Sequence, residues 1–581
     1  MFDWKYRLWL IKYISGVLLP PVALLSVFLW GLKAISDFRP LYLSELSLYL
    51  VFIPLYWDFV GRLTEWQDEI NARKLGANLI PLIKGKRMDL IARYKKGITD
   101  GYPGQIVDEL LDEAGVDTAR LCLFGVTRVI TRDHDVSKFI LSTGFNNFEI
   151  GEAVVIRLES FFGKGIFVAD GETAKMHRAL ARPYFARDRV SDYTIFHKHC
   201  DKMLDVLHKS ACADKPIDMQ DLFLTFTFDT SVEFLFGSED LATFTRDLPR
   251  AKDSDAEPEP KDAAKFLHAF NQGKANSQAR LGQPQVFWTA AEFFKDSQAD
   301  VKKDISDYLD PLVRAAIRRK EHRAGNDENY GPERLFVDHL VKSTNDISVM
   351  KDGLMNIMQA ARDTTAGLLT FACYLLATSP SAMERAREEV LARYGRTEVP
   401  TYDNLKQLKY IRAVLNETLR LFPVAPINSR QSKGQTIIPT REGPLYVPRS
   451  WQFLYSAISI QKRKDLWGDD ADAFDPLRWI DGREKDMTAD PFRFIPFNAG
   501  PRICLGQQFA YNEASFVLVR LLQHFDSFIL MQAEAAPNGS LPPHEWKSGT
   551  GRQSIELICP VMLMTLFCKG GLWLRMRAAS D

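Results

Sequence analysis

The sequence predicts a mainly helical domain with minor sheet, preceded by an N-terminal membrane anchor. Three observations carry this expectation. Residues 13–32 (YISGVLLPPVALLSVFLWGL) hold no charged side chain, and about twenty such residues suffice to cross a hydrocarbon core of about 30 Å. From about residue 70 onward the strongest periodicities are helical. Only short stretches, 442–448 (EGPLYVP) and 450–458 (SWQFLYSAI), look like strands.

Composition sets the outer bounds. The chain has 581 residues, 46% apolar and 25% charged, which excludes a disordered or collagenous protein. Lysine plus arginine and aspartate plus glutamate both number 74, so the formal charge is zero. A nucleic-acid partner normally leaves a basic excess, and none is present. Seven cysteines are too few for a disulfide scaffold and suit a reducing compartment.

Residues 1–66 are read as the anchor and 67–581 as the catalytic domain. Pro20 and Pro21 lie inside the first apolar run, so a spanning helix should kink there. No small-residue cleavage site follows closely, which indicates an anchor that is kept. A second apolar stretch, 46–57, is short and interrupted by Pro54. It reads as a second span, a re-entrant piece, an interfacial helix or a buried helix of the main domain. Lysines and arginines crowd the segment after Trp57 (Arg62, Arg73, Lys74, Lys84, Lys86, Arg87). That bias predicts a cytoplasmic main domain. The N-terminal tail is also basic (Lys5, Arg7, Lys12), so one and two spans both remain open.

Within the main domain a solvated insertion is expected near 238–264, where residues 251–261 (AKDSDAEPEPK) are charged and apolar-poor. Residues 322–331 (HRAGNDENYG) read as a second polar loop. Three helices are expected to matter. One runs from about 349 to 378 and is ended by Ser379-Pro380, which start the next. Another covers about 402 to 422, with Leu408, Ile411, Leu415, Leu419 and Phe422 repeating at three and four. The third follows Gly506.

Residues 497–506 (FNAGPRICLG) open that third helix. Cys504 sits beside a helix N-terminus, where free N–H groups and the dipole favour a thiolate. Gly500 and Gly506 remove side chains, so a flat, bulky partner can approach the sulfur. Arg502 adds a cation suited to a carboxylate, and Phe497 packs beneath. These parts describe a haem site with an axial cysteine, Cys504 being the metal ligand. Cys122, Cys200, Cys212, Cys373, Cys559 and Cys568 lack such a setting and read as core or surface. Zinc needs three or four clustered ligands; the nearest group, His197, His199 and Cys200, reads as a polar helix face.

With these residues in view, the chain from about residue 70 to its end resembles the cytochrome P450 superfamily. Within it the chain looks like the fungal, membrane-anchored branch that oxidises alkanes and fatty acids, and the wider set that accepts polycyclic aromatics and other hydrophobic compounds is equally compatible. The segments KGIFVADGE, HRALARPYF, ARDTTA, NETLRLFP, FDPLRW and FNAGPRICLGQQFA carry the likeness. The resemblance implies the P450 fold and a haem-thiolate monooxygenase that inserts one oxygen atom of O2 into a hydrophobic substrate. The cofactor it implies is haem b. Electrons would come from NADPH through a separate reductase, with cytochrome b5 as a second donor, at the endoplasmic reticulum membrane with the catalytic domain facing the cytoplasm. Rivals are a specialised-metabolism oxidase acting on a terpenoid or polyketide, a non-oxygenase haem-thiolate isomerase or dehydratase, and a haem sensor.

The same resemblance implies roles for single residues. Glu417 and Arg420 stand three apart on one helix face and can pair; the family motif adds Arg478 to make a structural triad. Asp363 and Thr364 match the oxygen-activation stretch, an acid and a hydroxyl suited to proton delivery. Ala361 stands where the family usually has glycine. Arg178 matches the arginine of the family's W-x-x-x-R stretch in residues 170–185 and would hold a haem propionate. The tryptophan position is Ala174, a departure that removes a donor unless His177 or Lys175 reaches in. Arg430 is a further propionate partner. Met358, Ala361 and Thr365, with Val424, Ala425 and Ile427, are expected to line an apolar substrate pocket, joined by the loop 145–162.

Overall fold

The computed structural model describes residues 4–36, 42–85, 87–123, 126–185, 193–237, 261–324 and 335–579. The expected insertion near 238–264 lies almost wholly outside the described residues; the helix Lys261–Leu281 begins within its last positions. Residues 325–331 of the second polar loop are likewise outside them. Residues 322–324 close the helix Ala299–Ala324, so the loop begins later than the sequence suggests.

Both N-terminal apolar stretches are long helices, Trp4–Ile35 and Tyr42–Lys74. The first carries Pro20 and Pro21, and the second carries Pro54. Each is long and apolar enough to cross a membrane. The short second stretch therefore belongs to a helix that continues through a charged half into the main body.

The helix Ile347–Ala377 forms the axis of the domain. Asp346 starts it, accepting from the N–H groups of Ser348 (2.8 Å) and Val349 (3.4 Å). Pro380 opens the next helix, Pro380–Tyr394, at its first turn. Against the axis pack the helices Met219–Phe236, Lys409–Leu421 and Gln507–His524, while Thr194–Cys212 packs on Met219–Phe236 and Gln507–His524, and all share one large apolar core.

The helix expected over 402–422 is broken into Tyr402–Leu405 and Lys409–Leu421. A tertiary contact makes the break. The Glu389 carboxylate accepts from the N–H groups of Tyr410 and Ile411 (2.9 Å each), so the second piece starts afresh. Residues 145–162, expected as a loop, hold the helix Glu152–Phe162.

Sheet is minor and lies to one side. The largest sheet orders Thr118–Leu123, Val126–Thr131, Gln452–Ser456, Ile427–Ser432 and Phe148–Glu149. Its one parallel pairing joins Val126–Thr131 to Gln452–Ser456. The strand Ile427–Ser432 brings Arg430 to the site described next.

Candidate active site

The cysteine loop is built by local backbone geometry. The Cys504 N–H donates to the Phe497 carbonyl (2.9 Å), closing the segment before the helix Gln507–His524. Asn498 and Gly500 both adopt positive φ, 63° and 65°. Gly500 has a second reason to lack a side chain: a Cβ there would lie 1.8 Å from the Leu141 carbonyl oxygen. Its requirement is set by the turn and the neighbouring backbone. Gly506 borders the sulfur, since a Cβ there would meet Cys504 Sγ at 4.0 Å and Phe185 at 3.8 Å. Phe497 is half-buried, its ring 5.1 Å from that of Tyr511.

Cys504 is solvent-accessible. Its surroundings still push the thiol up by burial, opposed by the Gly506 N–H and the Arg178 charge. The Gly506 N–H contribution has the sign expected of a helix N-terminus.

Three guanidinium groups converge beside this loop. Arg178 is on the helix Gly171–Ala181 and donates to the Ile503 carbonyl (2.8 Å). Arg502 donates to the carbonyls of Ile166 (3.0 Å) and Ala169 (2.5 Å) and pairs with Asp170 at 3.1 Å. Arg430 donates to the Ser429 carbonyl (2.7 Å). Burial holds Arg502 below the usual guanidinium range, and the charges of Arg430 and Arg178 add to the effect. Three cations facing one carboxylate leave a surplus that a doubly anionic ligand would neutralise. A thiol beside them suits a soft metal. This donor set fits haem, whose two propionates supply the missing charge.

Ala174 is buried on the same helical face as Arg178, so that face offers no indole N–H. The proposed substitutes do not fill the position. His177 is buried and lines a small cavity with Ile166, Leu180, Phe336, Leu340 and Asn356. Burial lowers its pKa, against a hydrogen bond to the Lys164 backbone. Lys175 is exposed and pairs with Glu172 (2.7 Å).

On the axial helix Ala360, Ala361 and Thr364 are half-open, whereas most of their neighbours are buried. Thr364 Oγ1 donates to the Ala360 carbonyl (2.5 Å). Asp363 is buried. Its Oδ2 is held by Lys274, from the helix Lys261–Leu281, and by Gln359 Nε2 at 2.8 Å. Its Oδ1 has no hydrogen-bond partner; Arg362 is 3.7 Å away. Of the expected pocket residues, Ala425 and Ile427 are half-buried and Val424 is buried. Met358 is closed into an apolar cluster with Phe162, Phe336 and Leu354. Thr365 is fully buried and hydrogen-bonds Glu513.

Glu417 accepts from Arg420 at Nη2 (2.8 Å) and Nε (2.9 Å), from Arg478 Nε (3.0 Å) and from Trp479 Nε1 (2.9 Å). Arg420 also donates to the carbonyls of Gln461, Ala471 and Ala473. Glu417 and Arg420 have no exposed surface. Desolvation opposes ionisation of Glu417, yet Arg420 and Arg478 hold its pKa below the usual range.

Sequence reasoning missed Lys274 and Glu513. Lys274 gave no signal, being far along the chain from Asp363. Glu513 did give one: it is a carboxylic acid near the start of the buried run ASFVLVRLL. Burial pushes Glu513 up to about 8, against hydrogen bonds from Thr230 (2.8 Å) and Thr365. A folded-state pKa raised above the unfolded value of about 4.3 gives stability that is full below that value. It is lost as pH rises through about 8. Glu513→Gln is therefore expected to flatten the fall in melting temperature between about pH 4 and about pH 8, the window between those two values. Coincident profiles for the two proteins would show that Glu513 is not the titrating group.

A family model described as cytochrome P450 matches residues 103–543. Cytochrome P450 52A3-A of Candida maltosa is 34% identical over 476 residues, covering 79% of this chain and 85% of its own. Cytochrome P450 52A1 of Candida tropicalis is 34% identical over 472 residues, covering 78% and 82%. Cytochrome P450 52E1 of Candida apicola is 34% identical over 474 residues, covering 78% and 86%.

Proposed function

This chain belongs to the cytochrome P450 family and is a haem-thiolate monooxygenase, and from that premise we propose that it hydroxylates alkanes or fatty acids at a membrane. The observation that carries the site assignment is the convergence of Arg178, Arg430 and Arg502 on the loop that presents Cys504. Cys504 would hold the iron through sulfur, and Arg178, Arg430 and Arg502 would hold the propionates. When bound, haem b supplies the activation of dioxygen and the oxidation of the substrate.

The protein's own groups bind, position and move protons. The half-open face at Ala360, Ala361 and Thr364, together with half-buried Ala425 and Ile427, favours a hydrophobic substrate. Thr364 keeps its hydroxyl on the helix by donating to Ala360, leaving lone pairs to accept from water. Asp363 passes protons through Oδ1, its unpartnered oxygen, while Lys274 and Gln359 fix Oδ2. Lys274 is in this reading a positioning residue. Asp363→Asn is expected to lower kcat roughly 10²-fold, the usual weight of a proton-transfer group, with an unchanged carbon monoxide difference spectrum. Lys274→Met should lower kcat in the same sense, and Lys274→Arg should recover it. Equal kcat in all three would remove Asp363 from the proton path.

Electrons reach the haem from NADPH through a separate reductase in the same membrane, with cytochrome b5 as a second donor. The membrane is that of the endoplasmic reticulum, with the catalytic domain in the cytoplasm, in keeping with the basic segment after Trp57. The test is a spectral binding screen with alkanes, fatty acids, terpenes and polyaromatics, followed by NADPH consumption with added reductase. Shifts and turnover with alkanes or fatty acids support the reading. A shift with terpenes alone transfers it to specialised metabolism.

A further inference from the structure

The anchor proposed from residues 1–66 has two apolar helices, and the structure ties both outer ends to the catalytic domain. The helices Trp4–Ile35 and Tyr42–Lys74 are antiparallel. Trp57 Nε1 donates to the Val17 carbonyl (3.0 Å), Ser26 Oγ meets Tyr49 OH (2.7 Å), and Lys33 pairs with Glu45 near the turn. Away from the turn, the start of the first helix is buried in the domain. Lys5 pairs with Glu159 (2.6 Å) on the helix Glu152–Phe162. Tyr6 OH donates to the Glu292 carbonyl (2.9 Å) and Arg7 Nε to the Phe293 carbonyl (2.5 Å). Tyr6 and Arg7 are only 1% and 2% exposed, and the Tyr6 ring lies 5.3 Å from that of Trp288. The second helix leaves through Glu65, paired with Arg120, and buried Ala72 into the strand Asn78–Leu79, which joins the domain's sheet.

We propose that residues 4–74 form a two-span hairpin whose N-terminus lies on the same side of the bilayer as the catalytic domain and is clamped to it. This rests on the membrane-anchor reading above and adds its topology. A single-span anchor with its N-terminus on the far side would pull Tyr6 and Arg7 out of their sites.

Lengths and charges agree with two crossings. Residues 13–32 carry no charge and span about 30 Å as helix. In the second helix the charges at the edges are paired, Glu45 with Lys33 and Asp58 with Arg62. The uncharged run 46–57 spans only about 18 Å as helix, and the paired Asp58 and Arg62 extend it toward about 26 Å, a shortfall left to local thinning and snorkelling. The outward faces are apolar and exposed, as at Leu19, Trp30 and Leu50. Lysine and arginine favour the domain side, with Lys5, Arg7, Lys12, Arg62, Arg73 and Lys74 there against Lys33 and Arg39 at the turn.

The experiment uses full-length protein in microsomes. An Asn-linked glycosylation cassette is placed either before residue 1 or within residues 37–41. The expected result is modification at 37–41 and none at the N-terminus. In parallel, Lys5→Cys with Glu159→Cys should cross-link on oxidation, while either single variant should not. Modification at the N-terminus, or a failed cross-link, overturns the proposal. No modification at either place in protein that alkaline carbonate leaves in the membrane also overturns it, while sparing the anchor. Release by carbonate would sink the anchor reading itself.

Discussion

Cys504→Ser is expected to abolish the carbon monoxide difference spectrum of the reduced protein and to leave purified material nearly free of haem. Serine keeps the N–H that donates to Phe497, and the glycine turn at Gly500 does not involve the sulfur. The loop should therefore persist, and far-ultraviolet circular dichroism should be unchanged. What is lost is the anionic soft ligand, since a hydroxyl ionises far less readily than a thiol. Activity should fall below detection, because the cofactor carries the oxidation. A Cys504→Ser protein with the native spectrum would remove the sulfur from the site and take the present assignment with it.

The second large effect is on stability. Arg420→Met leaves Glu417 buried with Arg478 and Trp479 as its remaining side-chain partners, and frees three carbonyls that Arg420 now serves. Removing one partner of a buried pair typically costs about 3–5 kcal/mol, because the survivor stays desolvated. The expected outcome is a lower urea midpoint and poor recovery of folded protein. Glu417→Gln should cost a similar amount, since it leaves the buried guanidiniums of Arg420 and Arg478 without their counter-charge. Stability should also fall with acid. The folded-state pKa of Glu417 is depressed, so its contribution is present above the unfolded carboxyl range and lost as pH falls through the folded value. A midpoint unmoved by Arg420→Met would show that the network holds no net stability.

The axial helix was legible in the sequence because Asp346 and Pro380 bound it by local chemistry, and its limits fall at Ile347 and Ala377. The helix over 402–422 was misread as continuous. Its break is made by Glu389, from a different helix, and no turn residue announces it. The segment 145–162 was misread in the opposite sense. Gly151 and Gly163 bracket the helix Glu152–Phe162.

Within the site the same division holds. Cys504, Gly500 and Gly506 lie within a few residues of one another, so one turn and one helix start decide their geometry. Glu417 and Arg420 share a helix face by spacing alone. By itself the sequence therefore determined the sulfur, its turn, the axial helix and the presence of apolar N-terminal runs, all features whose causes act over a few residues. Only the tertiary structure brought Arg178, Arg430 and Arg502 together, held Asp363 with Lys274, and returned the first helix to the catalytic domain. Those contacts join residues distant along the chain, where no periodicity links one partner to the other and packing of whole elements decides what meets.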